Sequence, residues 1–173
     1  FKAIWHKKSF NYSVKPNTRT FIYFGAVNYN AIIYVNGEKI GSHTGGFTPF
    51  NFEITTKIKD GENFVVVKVD NKRSRDGVPT LNTDWWNYGG ITRDVYIVEE
   101  SASYIDDYFI QLDPKKENTI SGWFKLDGST SSANIQLSIP EANINKDFST
   151  DKNGYCSFSF NVDLELWSPS SPK

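Results

Sequence analysis

Apolar and polar residues alternate in short runs along most of the chain, and helical periodicity is nearly absent. The runs are bounded by Gly, Asn, Asp and Pro, a pattern that is typical of antiparallel β-sandwiches. Asn36-Gly37 predicts a type I′ hairpin, because both residues tolerate a positive φ. In the first hundred residues the pattern predicts strands at 2–13, 19–28, 30–36, 38–44, 50–54, 63–71 and 93–99.

A polar stretch near Glu99–Ala102 predicts a domain boundary between residues 100 and 101. Four or five strands after it would be fewer than the roughly seven of an immunoglobulin-type sandwich. We therefore expect two β-domains, 1–100 and 101–173, with N-terminal strands of the first and C-terminal strands of the second missing. The second group of strands is predicted at 104–112, 119–126, 133–139 and 155–163.

Composition excludes several classes of protein. The chain has 173 residues and a net charge of −1 without a basic patch, which argues against binding to nucleic acid or to a membrane surface. Its single cysteine, Cys156, excludes an intrachain disulfide and alternates with apolar residues, so we predict a core thiol. No signal peptide or membrane span is visible. The compartment stays open, with a bacterial periplasmic or secreted location favoured over a cytoplasmic one.

The segment 72–92 is predicted to be a long connection without regular structure, and it contains most of the candidate chemistry. Loops of this length in compact domains are usually functional or disordered, and the aromatic residues here favour an ordered, functional loop. Aromatic faces pack on the C–H faces of a sugar ring, while carboxylate and amide groups bind its hydroxyls. Within residues 84–95, DWWNYGGITRDV, the pattern predicts a sugar-binding site made of Asp84, Trp85, Trp86, Asn87 and Tyr88.

Each of these residues also has a structural interpretation. Asp84 could cap a turn or pair with Arg75 or Arg93 instead of binding sugar. Because adjacent residues on an extended chain point in opposite directions, we expect one tryptophan to pack inward and one to face the pocket or the partner domain. A structural role is favoured for both tryptophans and a supporting role for Asn87 and Tyr88.

The sequence predicts no catalytic residue, no metal site and no cofactor in this chain. His43, in GSHTGGF, has no second histidine or cysteine nearby. We therefore predict a structural histidine hydrogen-bonded to the Gly45-Gly46 loop. Four oxygen donors could in principle ligate calcium, but their spacing is unlike an EF-hand loop; they are Asp70, Asn71, Asp76 and Asp84.

Three segments together resemble the N-terminal sugar-binding domain of glycoside hydrolase family 2, whose members are β-galactosidases, β-glucuronidases and β-mannosidases. They are DWWNYGGITRDV, the "VNG", GSHTGGF and "PF" motifs within 21–53, and GENFVVVKVDN at 61–71. The likeness covers residues 1–100, and a weaker one extends over 101–173, including LWSP at 166–169. It implies an all-β chain: a jelly-roll (galactose-binding-domain-like) β-sandwich followed by a partial immunoglobulin-like β-sandwich.

The resemblance implies a function for a longer protein. Family 2 enzymes are retaining glycosidases with two catalytic glutamates on a (β/α)8 barrel that follows these domains. This chain contains neither that barrel nor an Asn-Glu dipeptide. It is therefore interpreted as a non-catalytic N-terminal region that shapes the active site. At the position of Asp84, the resemblance implies an aspartate that reaches into the barrel's pocket and binds hydroxyls of the non-reducing sugar. Arg93 and Asp94 resemble a pair of the family, which implies a buried or half-buried salt bridge that anchors the last strand of the first domain.

The partners expected are a β-glycoside, the missing barrel domain and a second copy of the chain. The homo-oligomer is expected because truncation would uncover apolar side chains and leave an open sheet edge; the side chains are Ile135, Leu137, Phe158 and Phe160. The alternative function is a free-standing carbohydrate-binding or adhesion module with no enzyme attached, since these folds occur in both settings.

Overall fold

The computed structural model describes residues 3–82, 84–116, 118–128 and 131–172. Strands dominate this part of the chain, and one 3₁₀ turn, Pro140–Ala142, accompanies them. The all-β prediction is therefore confirmed. The chain divides into two compact units, residues 1–101 and residues 102–173.

The first unit is a sandwich of two antiparallel sheets with an additional short strand pair. Its strands are Ile4–Tyr12 (β1), Thr18–Phe24 (β2), Val27–Asn28 (β3), Asn30–Val35 (β4), Glu38–Thr44 (β5), Phe50–Glu53 (β6), Gly61–Asp70 (β7), Gly90–Ile91 (β8) and Val95–Ser101 (β9). One sheet has the order β1-β7-β4-β5, the other has the order β6-β2-β9, and β3 pairs with β8. Residues alternate between buried and half-buried along β2, β4 and β7, so each strand turns one face to the core.

The core of this unit consists of the inward residues of both sheets. Ile22 and Phe24 of β2 pack in one cluster with aliphatic residues of β4 and β7. The predicted hairpin between β4 and β5 is confirmed, because Asn36 and Gly37 have φ values of 50° and 90°. Burial of these apolar faces is the main driving force for folding of the unit.

The predicted strand 19–28 is interrupted at Gly25, which was not expected. The Gly25 N–H donates to the Asp94 carbonyl (2.9 Å), and the Thr92 N–H donates to the Ala26 carbonyl (3.1 Å). A Cβ at Gly25 would lie 2.9 Å from the Cβ of Arg93. The chain thus changes its pairing partner from β9 to β8 at this glycine, and residues 90–91 of the predicted loop form a strand.

A crevice of about 460 Å³ lies between the two sheets of the first unit. Core residues such as Ile22, Phe24 and Val67 line it, together with His6 of β1. The Nε2 atom of His6 is buried and has no hydrogen-bond partner among the described residues.

The second unit contains two sheets in its described residues. Its strands are Tyr104–Leu112 (β10), Thr119–Asp127 (β11), Asn134–Ile139 (β12), Ile144–Ser149 (β13) and Tyr155–Asn161 (β14). One sheet has the order β10-β11-β14, and β12 pairs with β13. Strand β13 was not predicted, because Ile144 and Phe148 are its only apolar residues.

The expected exposure of apolar side chains in the second unit is wrong for three of the four residues. Ile135, Leu137 and Phe158 are only 7%, 8% and 8% exposed, and Phe160 is half-buried. The unpredicted strand β13 supplies the cover, since Phe148 stacks on Phe158 with ring centroids 4.7 Å apart. The immunoglobulin-like assignment and the homo-oligomer stay predictions.

Candidate functional site

Two neighbouring clefts in the first unit contain all five predicted site residues. Phe47 and Trp85 border both clefts. A cleft of about 310 Å³ is lined by Asn28, Gly46, Phe47, Trp85, Trp86, Asn87, Tyr88, Thr92 and Arg93. A second cleft of about 360 Å³ is lined by Phe47, Val78, Pro79, Thr80, Asn82, Asp84 and Trp85.

The Asp84 side chain is exposed and lines the second cleft. Within the described ranges its carboxylate makes no hydrogen bond and no ion pair. Neither the turn cap nor the pairing with Arg75 or Arg93 is therefore formed there. An ionised carboxylate can accept hydrogen bonds at both oxygens, so Asp84 has acceptor capacity available for hydroxyl groups.

The aromatic residues of the loop project into solvent. Trp85, Trp86 and Tyr88 are 64%, 81% and 76% exposed. The expectation that one tryptophan packs inward is wrong. Because hydrogen bonds to its backbone hold the loop, neither indole is needed as a core anchor. One of these bonds runs from an Arg73 guanidinium N–H to the Trp85 carbonyl (3.0 Å).

The loop is held chiefly by Asn28, which the sequence analysis did not identify. Asn28 ends β3, is 5% exposed and donates through Nδ2 to Asn87 Oδ1 (2.7 Å) and to the Tyr88 carbonyl (2.6 Å). Asn71, just after β7, donates through Nδ2 to the Asn87 carbonyl (3.1 Å). These two amides fix the backbone next to Asp84 and the tryptophans. A polar residue within the apolar run GAVNYNAIIYV was the available signal, since buried amides need partners.

Two glycines allow the asparagines to approach. A Cβ at Gly46 would lie 2.7 Å from Asn28 Oδ1, and a Cβ at Gly89 would lie 2.5 Å from Asn71 Cγ. Asn28 Oδ1 is buried without a conventional partner among the described residues. Gly46 lies next to this oxygen, at a distance that leaves no room for a Cβ. One glycine of each Gly-Gly pair, Gly45-Gly46 and Gly89-Gly90, thus allows close packing around the amide side chain of Asn28 or Asn71.

His43 and Arg93 have structural contacts that differ from those predicted. His43 stacks on Phe50 (4.1 Å between centroids), and its Nε2 lies 3.3 Å from the Thr48 hydroxyl. The role is structural as predicted, but the partner is that hydroxyl and not the glycine loop. Arg93 donates to the Phe47 carbonyl (3.3 Å).

The predicted Arg93–Asp94 salt bridge is wrong. Both side chains are exposed, and no ion pair joins them in the part of the chain that the structure describes. Asp94 instead contributes its backbone carbonyl, which accepts the Gly25 N–H. The approach of residues 92–94 to residues 25–26 and to Phe47 thus sets the partners of both residues.

Two of the four oxygen donors considered for calcium make other contacts. The Asp70 carboxylate accepts the N–H of Lys72 (2.9 Å), and the Asn71 amide supports the loop. Among the described residues, no cluster of three or more His, Cys, Asp or Glu side chains is arranged to hold a metal ion. In the same residues, no helix has the length and apolar character needed to cross a membrane.

Comparison with known proteins identifies a matching family and relatives of similar sequence. Residues 3–101 match the family described as "Glycosyl hydrolases family 2, sugar binding domain". A β-galactosidase of Thermoanaerobacter pseudethanolicus is 35% identical over 118 residues, which cover 66% of this chain and 16% of that protein. A β-glucuronidase of Bacteroides fragilis is 42% identical over 81 residues, which cover 46% of this chain and 12% of that protein. The chain thus spans about a sixth or less of these relatives.

Among solved structures, the β-glucuronidase of Bifidobacterium dentium, complexed with coumarin-3-O-glucuronide, superposes with a TM-score of 0.80. The superposition covers 98% of this chain and 34% of that chain, at 23% identity. A β-glucuronidase of an uncultured Clostridium species gives a TM-score of 0.75 at 24% identity, covering 98% of this chain and 31% of that one. At this identity the likeness concerns the fold.

Proposed function

This chain belongs to the family of glycosyl hydrolase family 2 sugar-binding domains, and from that premise we propose that it is a non-catalytic region of a longer retaining β-glycosidase, in which it contacts the glycoside. The observation that carries the proposal is the unpaired, exposed Asp84 carboxylate beside the exposed Trp85 ring. Both lie on a loop whose backbone is held by the buried amide of Asn28 and the half-buried amide of Asn71. Such an arrangement is ordered before a ligand arrives, so binding costs little conformational entropy.

Each group in the clefts has a chemical role in this proposal. The Asp84 carboxylate accepts charge-assisted hydrogen bonds from sugar hydroxyls. Trp85 and Trp86 offer flat faces to the C–H groups of a sugar ring. The Oδ1 atom of Asn87 accepts a hydrogen bond from Asn28, so Asn87 supports the loop. The relatives named β-glucuronidase and β-galactosidase support a β-glucuronide or a β-galactoside as substrate of the longer protein.

Bond cleavage is assigned to a part of the longer protein outside this chain. Retaining hydrolysis needs two carboxyl groups about 5–5.5 Å apart, one as nucleophile and one as acid/base. We assign both to a (β/α)8 barrel. In this proposal residues 1–100 form the sugar-binding domain and residues 101–173 an immunoglobulin-like domain.

The test is Asp84→Asn in the full-length protein, assayed with nitrophenyl β-glucuronide, β-galactoside and β-mannoside. A charge-assisted hydrogen bond contributes about 1.5–3 kcal/mol. That energy corresponds to a roughly ten- to hundredfold lower kcat/KM. Asp76→Asn is the matched control, because Asp76 lies in the same segment and is exposed but lines neither cleft.

We expect the Asp76 variant to retain kcat/KM and both variants to keep the melting temperature of the parent. An Asp84 variant with unchanged kcat/KM on the substrate that the parent hydrolyses would contradict the sugar contact. A full-length protein that hydrolyses none of the three substrates would contradict the assignment to a β-glycosidase of this specificity.

A further inference from the structure

Three aromatic side chains form a row on the outer face of the second unit. Phe109 of β10, Trp123 of β11 and Tyr155 of β14 lie on successive strands of one sheet. The ring centroids of Phe109 and Trp123 are 6.4 Å apart with planes at 24°, and those of Trp123 and Tyr155 are 6.2 Å apart with planes at 29°. Phe109 is 47% exposed, Tyr155 is 45% exposed and Trp123 is half-buried.

The row is separate from the core of its unit. In an antiparallel sheet, directly opposite residues share a face, and neighbours along a strand point to the other face. Phe109 pairs with Trp123, and Trp123 pairs with Ser157. The residues that follow Trp123 and Ser157, Phe124 and Phe158, are 4% and 8% exposed and belong to the core cluster. Core packing therefore does not account for three large rings on the outer face.

Polar side chains border the row on both sides. Trp123 pairs with Ser157, and Lys125 pairs with Tyr155 on one side and with Asp107 on the other. In the next row of paired residues on the same face lie Gln111, Ser121 and Ser159. Hydroxyl, amide and carboxylate groups thus lie beside a stripe of aromatic faces.

This combination matches a carbohydrate chain better than other partners. A sugar has apolar C–H faces that lie on flat rings and a rim of hydroxyls that hydrogen-bond to side groups. A nucleic acid would need cations for its phosphates, but the Lys125 ammonium is paired with Asp106 at 2.8 Å. A stable protein interface needs about 800 Å² of surface per partner with an apolar centre, whereas here polar residues interrupt the apolar surface after one row.

We propose that the Phe109–Trp123–Tyr155 row is a stacking platform for an uncharged oligosaccharide or polysaccharide, in addition to the cleft at Asp84. Because three rings follow one another, the platform is suited to several consecutive sugar units and not to a single monosaccharide. The neutralised Lys125 disfavours an anionic glycan. This inference does not depend on the function proposed for the first unit.

The experiment is affinity electrophoresis of the 173-residue chain in gels that contain mixed-linkage β-glucan, xylan or galactomannan. We expect retardation by at least one of these polysaccharides. Phe109→Ala and Tyr155→Ala should each weaken binding roughly twofold to tenfold, the range expected for loss of one ring contact, and the double variant should abolish retardation. Tyr155→Phe keeps the ring and should retain binding.

Tyr108→Ala is the matched control. Tyr108 is 64% exposed on the same strand, but it pairs with the core residue Phe124 and so lies on the opposite face. Its variant should bind as the parent does, which ties retardation to the face that carries the row. Melting temperatures confirm that the variants are folded.

A further gel contains the anionic polysaccharide polygalacturonate, and four results from the gels would overturn the proposal. They are no retardation in any gel, retardation that survives the double substitution, equal loss in Tyr108→Ala, and retardation only by the anionic polysaccharide polygalacturonate in a salt-sensitive manner. Light scattering completes the test, because a dimer that dissociates in the double variant would identify the row as a contact between copies of the chain.

Discussion

Removal of the Asn28 amide is expected to release the loop at residues 84–92 while leaving the sandwich of the first unit folded. Asn28→Ala deletes the bonds of 2.7 Å and 2.6 Å to Asn87 and Tyr88. Net contributions of about 0.5–1.5 kcal/mol per hydrogen bond give a loss of roughly 1–3 kcal/mol for the pair. At roughly 2–4 °C per kcal/mol for a chain of this size, the melting temperature should fall by roughly 2–12 °C.

The matched substitution is Asn30→Ala, two residues further along the chain. Asn30 is exposed, and its Oδ1 accepts one hydrogen bond from the Thr44 hydroxyl (2.9 Å). Because water can replace that bond, we expect a change within about 0.5 kcal/mol. The comparison keeps the chemistry of the substitution constant and varies only burial and partner.

Gly46→Ala tests the same contact from the other side. Its Cβ would lie 2.7 Å from Asn28 Oδ1 and 3.0 Å from Asn28 Cγ, so the carboxamide must move. That movement lengthens the two bonds to the loop. We therefore expect Gly46→Ala to shift stability in the same direction as Asn28→Ala, and the two effects should be less than additive in the double variant.

Hydrogen exchange followed by mass spectrometry provides the decisive measurement. Peptides spanning 84–92 should exchange faster in Asn28→Ala and Gly46→Ala, while peptides of β7 should keep their protection. Loop exchange that is unchanged in Asn28→Ala, or that matches Asn30→Ala, would refute the reasoning. So would full additivity of the Asn28 and Gly46 substitutions.

Two further predictions concern the first unit. His6→Leu should raise the melting temperature, because it removes a buried, unpartnered Nε2 atom whose burial costs about 1–3 kcal/mol and keeps an apolar side chain in the crevice. His6→Gln is the polar control. A lower melting temperature for the leucine variant in thermal unfolding would contradict the prediction. Hydrogen bonds from Lys15 and then Tyr12 lower the pKa of Glu99 below its ordinary value of 4.5. Because the folded pKa is depressed, the stabilisation is present above pH about 4.5 and is lost as the pH falls through the folded pKa. The difference in melting temperature between the parent and Glu99→Gln should therefore shrink from pH 7 to pH 3, and an equal difference at both pH values would disprove the linkage.

Much of the fold could be predicted from the sequence because periodicity is a local property. Alternation along β2, β4 and β7 assigns Ile22, Phe24, Ile33 and Val67 to the core without knowledge of their partners. The Asn36-Gly37 turn is equally local, since its conformation depends on two residues. All five predicted site residues also lie at the two adjoining clefts, whereas their contact with a sugar stays a prediction.

The tertiary structure alone decided which residues pair when they are distant in the chain. Asn28 meets Asn87 across 59 positions, and no local pattern states that two such polar side chains will lie together. The exposure of both tryptophans follows from that contact, because a loop held by its backbone leaves its side chains unused. The interruption at Gly25 and the missing Arg93–Asp94 bridge have the same origin, since the approach of residues 92–94 to residues 25–26 sets both. Local sequence determines which face of a strand avoids water, whereas the partner of each buried polar group depends on the three-dimensional arrangement of the whole unit.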